Sequence, residues 1–569
     1  MILVVAAAIT TAATATAGLT RQAVAPTRIV WMSDTTGEYI KQPEILMKDF
    51  KGQVSVADNN CTVMRSVVNH QAGVLLDFGK ELHGGIKISS GMRASTRPLR
   101  LRVRLGESVS EAMSDVHPTV NKKNATNEHA MRDFIVEVPW LGSVEYGNSG
   151  FRFARIDLLD ADVDYLLRNV SAISVMIDDP QIGSFRCSDD RLNKIWETGA
   201  YTVQLNMQDY LWDGVKRDRL VWLGDLHPEV MTVDYVWGNH DVVRRTLDFA
   251  REDTPLPGWM NGFSSYSMWW LLIHRDYYLH NGDKQYLQDN RDYILGMVKQ
   301  LDECVDENGE EKMTGVRFLD WPTSEKPDVI HDGLQSLTYI TMNAARQIAG
   351  WLDDKELDEV AAGTMARMEK YNMTHTDASQ AISLSLLAGL SKDTEKDCNK
   401  LIDNGINSFS PFYGYYAVEA LARNGKEDTA LKMISDYWGK MIDLGATTFW
   451  EDLNYPDTEN AARIDEIVPE GKYDIHSDGG AYCYVGLRLS LCHGWGAGPT
   501  PWLQRYVLGI KPVEPGCKTV EVKPHLGDLA FAEGTFPTPY GPLAVKAYKD
   551  EAGKTKVDVK APKGVKIKK

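Results

Sequence analysis

Between residues 29 and 178 the chain is built of short runs in which apolar and polar positions alternate. Examples are 74–79, Gly85-Ile86-Lys87-Ile88, and 99–105, where arginine takes every second place; 153–158 and 171–177 complete the set. A period of two, broken by Gly, Asn and Asp, predicts antiparallel strands that bury one face. A β-sandwich over residues 25–180 satisfies that pattern. From about 189 to 490 the period changes to i, i+3, i+4, the spacing of helices with one apolar face. The clearest stretches are 192–205, 240–250, 268–280, 286–304, 334–352, 355–369, 378–390, 413–421 and 429–441. Ser188, Asp283 and Asp377 stand where N-caps belong. Some 300 residues at about 25 per helix and loop hold about twelve helices. That is the number in an (α/α)6 barrel or a solenoid, and the lack of a fixed repeat period favours the closed barrel, spanning 185–505. Beyond 507 the alternation returns in 520–524, 543–547 and 556–560. It predicts a small terminal β-sheet domain over 507–569, packed on the barrel because about sixty residues make a marginal core.

Length agrees with several domains: 569 residues exceed the roughly 250–300 at which one core stops growing. With 43% hydrophobic and 25% charged residues the chain is an ordinary globular one. Its formal charge of −17 makes nucleic acid an unfavourable partner. The one basic cluster, 563–569, reads as a solvated end. Seven cysteines show neither a CxxC pair nor zinc-ligand spacing, so no metal site and no disulfide framework is expected. Residues 1–17 are uncharged, contain an apolar run at 2–9 and end in Ala15-Thr16-Ala17, which fits a signal peptide and export to the periplasm or medium. After them no stretch reaches the roughly 20 apolar residues of a membrane span.

Thirteen of the fifteen tryptophans fall between Trp196 and Trp502. Indole packs on the C–H faces of sugars, although core packing accounts equally for such enrichment. The sharper signal is the segment 213–225, which carries Asp213, Lys216, Arg217, Asp218, Arg219 and Asp225 around the apolar run Leu220-Val221-Trp222-Leu223. A solvated salt-bridge cluster explains dense charge, but the apolar run places the segment partly inside, where carboxylates need partners. Carboxylates driven into separate acid and base roles are what glycoside hydrolysis uses.

The pattern Asp-Gly-x-Lys-Arg-Asp-Arg-x-x-Trp-x-Gly-Asp resembles the signature of the bacterial α-L-rhamnosidases, glycoside hydrolase family 78. So do Leu76-Asp77-Phe78-Gly79 with Gly84-Gly85, Gly150-Phe151-Arg152-Phe153, Phe318-Leu319-Asp320-Trp321, the run 445–451 ending in Trp450-Glu451, and His493-Gly494-Trp495 leading into 506–510. The resemblance implies an (α/α)6 barrel that hydrolyses α-L-rhamnosides with inversion and without a cofactor. By position it makes Asp213 and Asp225 carboxylates that hold sugar hydroxyls and Glu451 the general base. Asp218 falls where many members carry a glutamate as general acid. Aspartate reaches about 1.5 Å less far, so Glu229 stands as the alternative donor. Arg217, Trp222, Trp321, Trp450, His493 and Trp495 are the further candidates for substrate contact, while Asp320 and Asp452 rank below them as supporting carboxylates or loop caps. Two other readings stay open: a carbohydrate-binding relative without a competent acid, and the same fold acting on another 6-deoxy sugar or a uronide. Aglycone, linkage and oligomeric state are not specified by the sequence.

Overall fold

The computed structural model describes residues 18–568 except 49, 51, 58–59, 116–131, 373–375, 479–483 and 485. The signal-like segment 1–17 and Cys483 lie outside the described residues. The N-terminal strands form one nine-stranded hydrogen-bonded sheet built on three long strands, Gly73–Ser90, Gly142–Leu158 and Val163–Ile177. The pairing of the first two slips between Asp77 and Leu82 and again between Gly84 and Ile86. On one side of these slips Gly73–Ser90 pairs with Arg28–Met32, on the other with Val163–Ile177. The sheet therefore forms two leaves around one core, in which Val74, Leu76, Ile86, Ile88, Leu101, Val103, Ile156 and Val170 meet. Gly84 makes the second slip possible: its φ is +141°, and a Cβ there would stand 2.0 Å from the Ile173 carbonyl oxygen.

Thirteen helices follow among the described residues, twelve of them numbered and one short helix left unnumbered. The twelve are α1 (Asp190–Asn206), α2 (Leu226–Val236), α3 (Asp241–Asp253), α4 (Ser264–Asn281), α5 (Arg291–Glu303), α6 (Pro327–Leu352), α7 (Lys355–Met368), α8 (Ser379–Ala388), α9 (Thr394–Asn404), α10 (Pro411–Arg423), α11 (Glu427–Asp443) and α12 (Pro499–Trp502). A short helix, Lys284–Asp289, leads into α5, and α12 runs on as a wider turn to Val507. The even-numbered helices make an inner ring. Neighbours α2–α4–α6–α8–α10 touch in order, and α12 packs back on α2 to close it. Every residue of α2 is buried, as expected of an inner helix with neighbours on all sides. The outer helix α3 buries only Val242, Val243, Thr246, Leu247 and Ala250, a single stripe. Asp283 caps its helix by accepting from the Tyr286 amide. At α1 the cap is Asp189, one residue beyond Ser188, and Ala378 precedes α8 without a side-chain cap, so Asp377 does not serve.

The C-terminal strands Phe531–Phe536, Leu543–Lys549 and Thr555–Lys560 take Ser184–Cys187, from the entrance to the barrel, as a fourth partner. A second sheet joins Ile510–Pro512, Thr519–Val522 and Lys566–Lys568. Phe536, Val545 and Val520 belong to the same core as Tyr235 and Trp502, so this region packs as part of the barrel. Six described cysteines carry free thiols. No described helix is long and apolar enough to cross a membrane.

Candidate active site

The segment 213–220 closes on itself: the Asp213 amide donates to the Leu220 carbonyl at 3.1 Å, and the Leu220 amide donates to Asp213 Oδ1 at 2.9 Å. Between them Asp218 and Arg219 both adopt left-handed backbone, with φ of 54° and 53°. Non-glycine residues enter that region at a cost of about 1–2 kcal/mol each, so the surrounding contacts must impose it. Arg219 Nη1 supplies one such contact, donating to the Asn148 carbonyl of the sandwich at 2.7 Å. The segment then runs into α2, setting Asp225 at the mouth of the inner ring.

Arg217 is buried at the centre. Its Nε donates to the Arg488 carbonyl at 2.8 Å, its Nη1 to Asp218 Oδ2 at 3.0 Å, and its Nη2 to Glu451 Oε2. Burial opposes the charge, but Glu451, Asp218 and Asp213 outweigh it and keep the guanidinium cationic. One planar fork thus joins two carboxylates from distant segments. Two charge-assisted bonds of about 2.8 Å and the fork between them bound the oxygen–oxygen separation to roughly 8 Å or less.

Opposite the fork stands His493, paired as an isolated bridge with Gly214. Its Nε2 lies 3.7 Å from Glu451 Oε1 and 3.9 Å from both Asp213 Oδ2 and Asp225 Oδ2. Three carboxylates, two from the segment 213–225 and one from Glu451, therefore converge on one imidazole nitrogen. Burial pushes that imidazole down to about 4, so it is neutral near neutral pH. Burial also drives Asp213 and Asp225 well above the usual carboxylate range, with Asp218 and Asp225 adding to it at Asp213 and Glu451 and Asp218 at Asp225; Tyr266 Oη donates to Asp225 Oδ1 at 2.7 Å.

Residues 180–507 match the model of the bacterial α-L-rhamnosidase six-hairpin glycosidase domain, and 509–568 that of the bacterial α-L-rhamnosidase C-terminal domain. The chain belongs to the bacterial α-L-rhamnosidase family. An α-L-rhamnosidase of Alteromonas sp. (strain LOR) is 24% identical over 442 residues, 70% of this chain and 45% of that protein. The chain thus spans less than half the length of that curated relative. Among solved structures, the glycoside hydrolase family 78 rhamnosidase of Bacillus sp. GL1 superposes with a TM-score of 0.72 at 21% identity, covering 93% of this chain and 55% of its own. A rhamnosidase of Klebsiella oxytoca with rhamnose bound gives 0.66 at 18% identity, covering 86% of this chain and 96% of its own. At such identities these structures speak for the rhamnosidase fold.

In this family member the loops around the inner-ring mouth sort the remaining candidates. Glu229, one turn below Asp225 on α2, is fully buried, and among the described residues neither carboxyl oxygen has a partner. It lies against Gly494, where a Cβ would come 2.0 Å from its carboxyl carbon. Burial, then Asp225 and Asp213, push its carboxyl well above the usual carboxylate range. Glu229 therefore sits behind the wall that Gly494 forms, whereas the Asp218 side chain keeps 20% of its surface exposed. Trp495 is buried, stacks on Phe412 and donates from Nε1 to the Glu451 carbonyl at 2.9 Å, holding the backbone of Glu451. Trp450 is wholly buried. Trp222 and Trp321 are half-buried, the first edge-on to Phe263 and Tyr266, the second between Phe318 and Tyr484. Asp320 accepts from Thr323, Gln380 and Ser410 and caps a turn. Asp452 accepts from the Leu453 amide, and burial pushes it up to about 7.

Sequence reasoning missed Tyr266 and the Ser490 amide, which donates to Glu451 Oε2 at 3.0 Å. It also missed a buried cluster behind them. Among the described residues, Glu107, Glu111 and His476 bring ligand atoms within 4.8 Å of one another. Lys216 Nζ stands 3.2 Å from both carboxylates, so a cation of the protein itself already fills that position.

Proposed function

We propose that the protein is an exported inverting glycoside hydrolase that releases terminal α-L-rhamnose from rhamnosides or rhamnose-containing polysaccharide. The observation that carries this reading is the single guanidinium of Arg217 spanning Asp218 and Glu451, with Asp213 and Asp225 converging beside them. Inverting enzymes keep two carboxyl groups roughly 6.5–9.5 Å apart to admit a water. Asp218 is the acid, protonating the glycosidic oxygen as the bond to C1 breaks. Glu451 is the base, taking the proton of the water that attacks C1 from the opposite face. Asp213 and Asp225 hold ring hydroxyls. His493, neutral and poor in partners at Nδ1, is suited to bond another hydroxyl. Trp222 and Trp321 are the tryptophans available to line the sugar, while Trp450 and Trp495 support it from within. The three-part division into 25–180, 185–505 and 507–569 belongs to the same proposal, as does export, which rests on the composition of residues 1–17.

A panel of p-nitrophenyl glycosides tests the substrate class. Hydrolysis confined to the α-L-rhamnoside is the expected result. Preference for another 6-deoxy sugar or a uronide moves the assignment to that sugar, and rhamnose binding without turnover makes the protein a binding relative.

A further inference from the structure

We infer that the β-sandwich takes part in the reaction through Glu107, which positions Glu451 by way of Ser490 and Leu491. The inference rests on Glu451 being the base. Glu451 is fixed twice by Ser490: its own amide donates to the Ser490 carbonyl at 2.9 Å, and its Oε2 accepts from the Ser490 amide at 3.0 Å, in a segment, 487–491, that follows from a short 3-10 turn. That segment is gripped from the sandwich side. Glu107 Oε2 accepts from the Leu491 amide at 2.6 Å, and Oε1 accepts from Ser490 Oγ at 3.3 Å.

The grip is braced by charge. Lys216, in the same loop as Arg217 and Asp218, sends Nζ to the carbonyls of Leu487 and Leu489 at 2.8 and 2.6 Å while facing Glu107 and Glu111. All three side chains are at most 1% exposed. Glu111 accepts from the Glu107 amide, and Ser108 Oγ meets His476 Nδ1 at 2.6 Å, closing the cluster around the short helix Val109–Met113. The cluster buries two carboxylates and two cations at a domain boundary, Arg132 Nε also standing 3.7 Å from Glu111 Oε1. Burying them costs several kcal/mol per ion unless the geometry is fully used. Here one Glu107 oxygen ends on Ser490, which holds the proposed base, and the other on the next residue, Leu491, so a shift of Glu107 passes to Glu451 through Ser490. Misplacing a reacting group by about 1 Å can cost 10²-fold in rate. Glu107 touches no substrate; it is a positioning residue.

Glu107→Gln keeps the shape but turns one acceptor into a donor. With p-nitrophenyl α-L-rhamnoside, kcat is expected to fall about 10–100-fold with KM close to wild type. In a Glu451→Gln background the same change should cost little more, because the group being positioned is already gone. Ser490→Ala removes one of the two links and serves if Glu107→Gln does not fold; it should lower kcat by a smaller factor and likewise lose its effect beside Glu451→Gln. Wild-type kcat in a folded Glu107→Gln protein overturns the inference. So does a loss that multiplies fully with that of Glu451→Gln, which marks a general structural role, or, where Ser490→Ala decides, an unchanged kcat. If Glu451→Gln itself keeps wild-type turnover, the reading of the base fails and the inference falls with it. A dead Glu451→Gln beside a normal Glu107→Gln overturns the inference alone.

Discussion

In the proposed reaction Asp218 places a proton on the leaving oxygen with a side chain one methylene shorter than glutamate, from a left-handed backbone position. The acid assists only the leaving group. Asp218→Asn should therefore cut hydrolysis of natural rhamnosides by about 10²–10⁴-fold while sparing dinitrophenyl α-L-rhamnoside, whose leaving group departs without a proton. Parallel loss on both substrates would make Asp218 a structural partner of Arg217; loss with Glu229→Gln instead would make Glu229 the donor. Asp452 gives a separate test of its surroundings. Burial raises its carboxyl from 3.8 to about 7. The native group is then protonated over a range where the unfolded one is ionised. Its contribution to stability is present below about pH 4 and is lost as pH rises through about 7, at up to about 1.4 kcal/mol per pH unit. Denaturant titrations of wild type and Asp452→Asn should show the variant gaining relative stability across that window and no further change above it; a constant difference contradicts the assignment. At this scale the sequence was legible where the chemistry is contiguous, as in 213–225. Tyr266, Ser490 and Glu107 were not, because their roles depend on which distant segment they face.

The loop 213–220 shows how an element carries the chemistry. Asp218 and Arg219 share the left-handed conformation, and glycine enters it freely while β-branched residues resist it. Arg219→Gly should change stability by no more than about 1 kcal/mol, the lost bond to Asn148 being offset by relief of backbone strain. Arg219→Val should destabilise more and lower kcat further, since it deforms the turn that carries Asp218. Thermal melts and kcat of the two variants check this, and a valine variant equal to or better than the glycine one contradicts it. Among the helices, those with one apolar stripe, such as α3, were plain in the pattern. The helix α2 escaped because all of its residues are buried and no polar face marks the period. The helix α9 escaped for the opposite reason, burying only Cys398 and Leu401.

For the whole molecule, the three textures of the sequence correspond to three regions of structure, but their seams were hidden. Ser184–Cys187 joins a sheet formed more than 300 residues later, a pairing no local pattern contains. The seam between sandwich and barrel matters more, because Arg152 bonds Asp77 within the sandwich and the Gly445 carbonyl of the barrel, close in sequence to Glu451. The two domains thus frame one site, in which Arg217 joins Asp218 and Glu451 from separate segments. The central claim is that a water activated by Glu451 attacks the face opposite the leaving group. Proton NMR of the sugar released in the first minutes of hydrolysis, before mutarotation, tests it most directly. The account predicts that β-L-rhamnose appears first and the α-anomer only as mutarotation proceeds; immediate accumulation of α-L-rhamnose would contradict it.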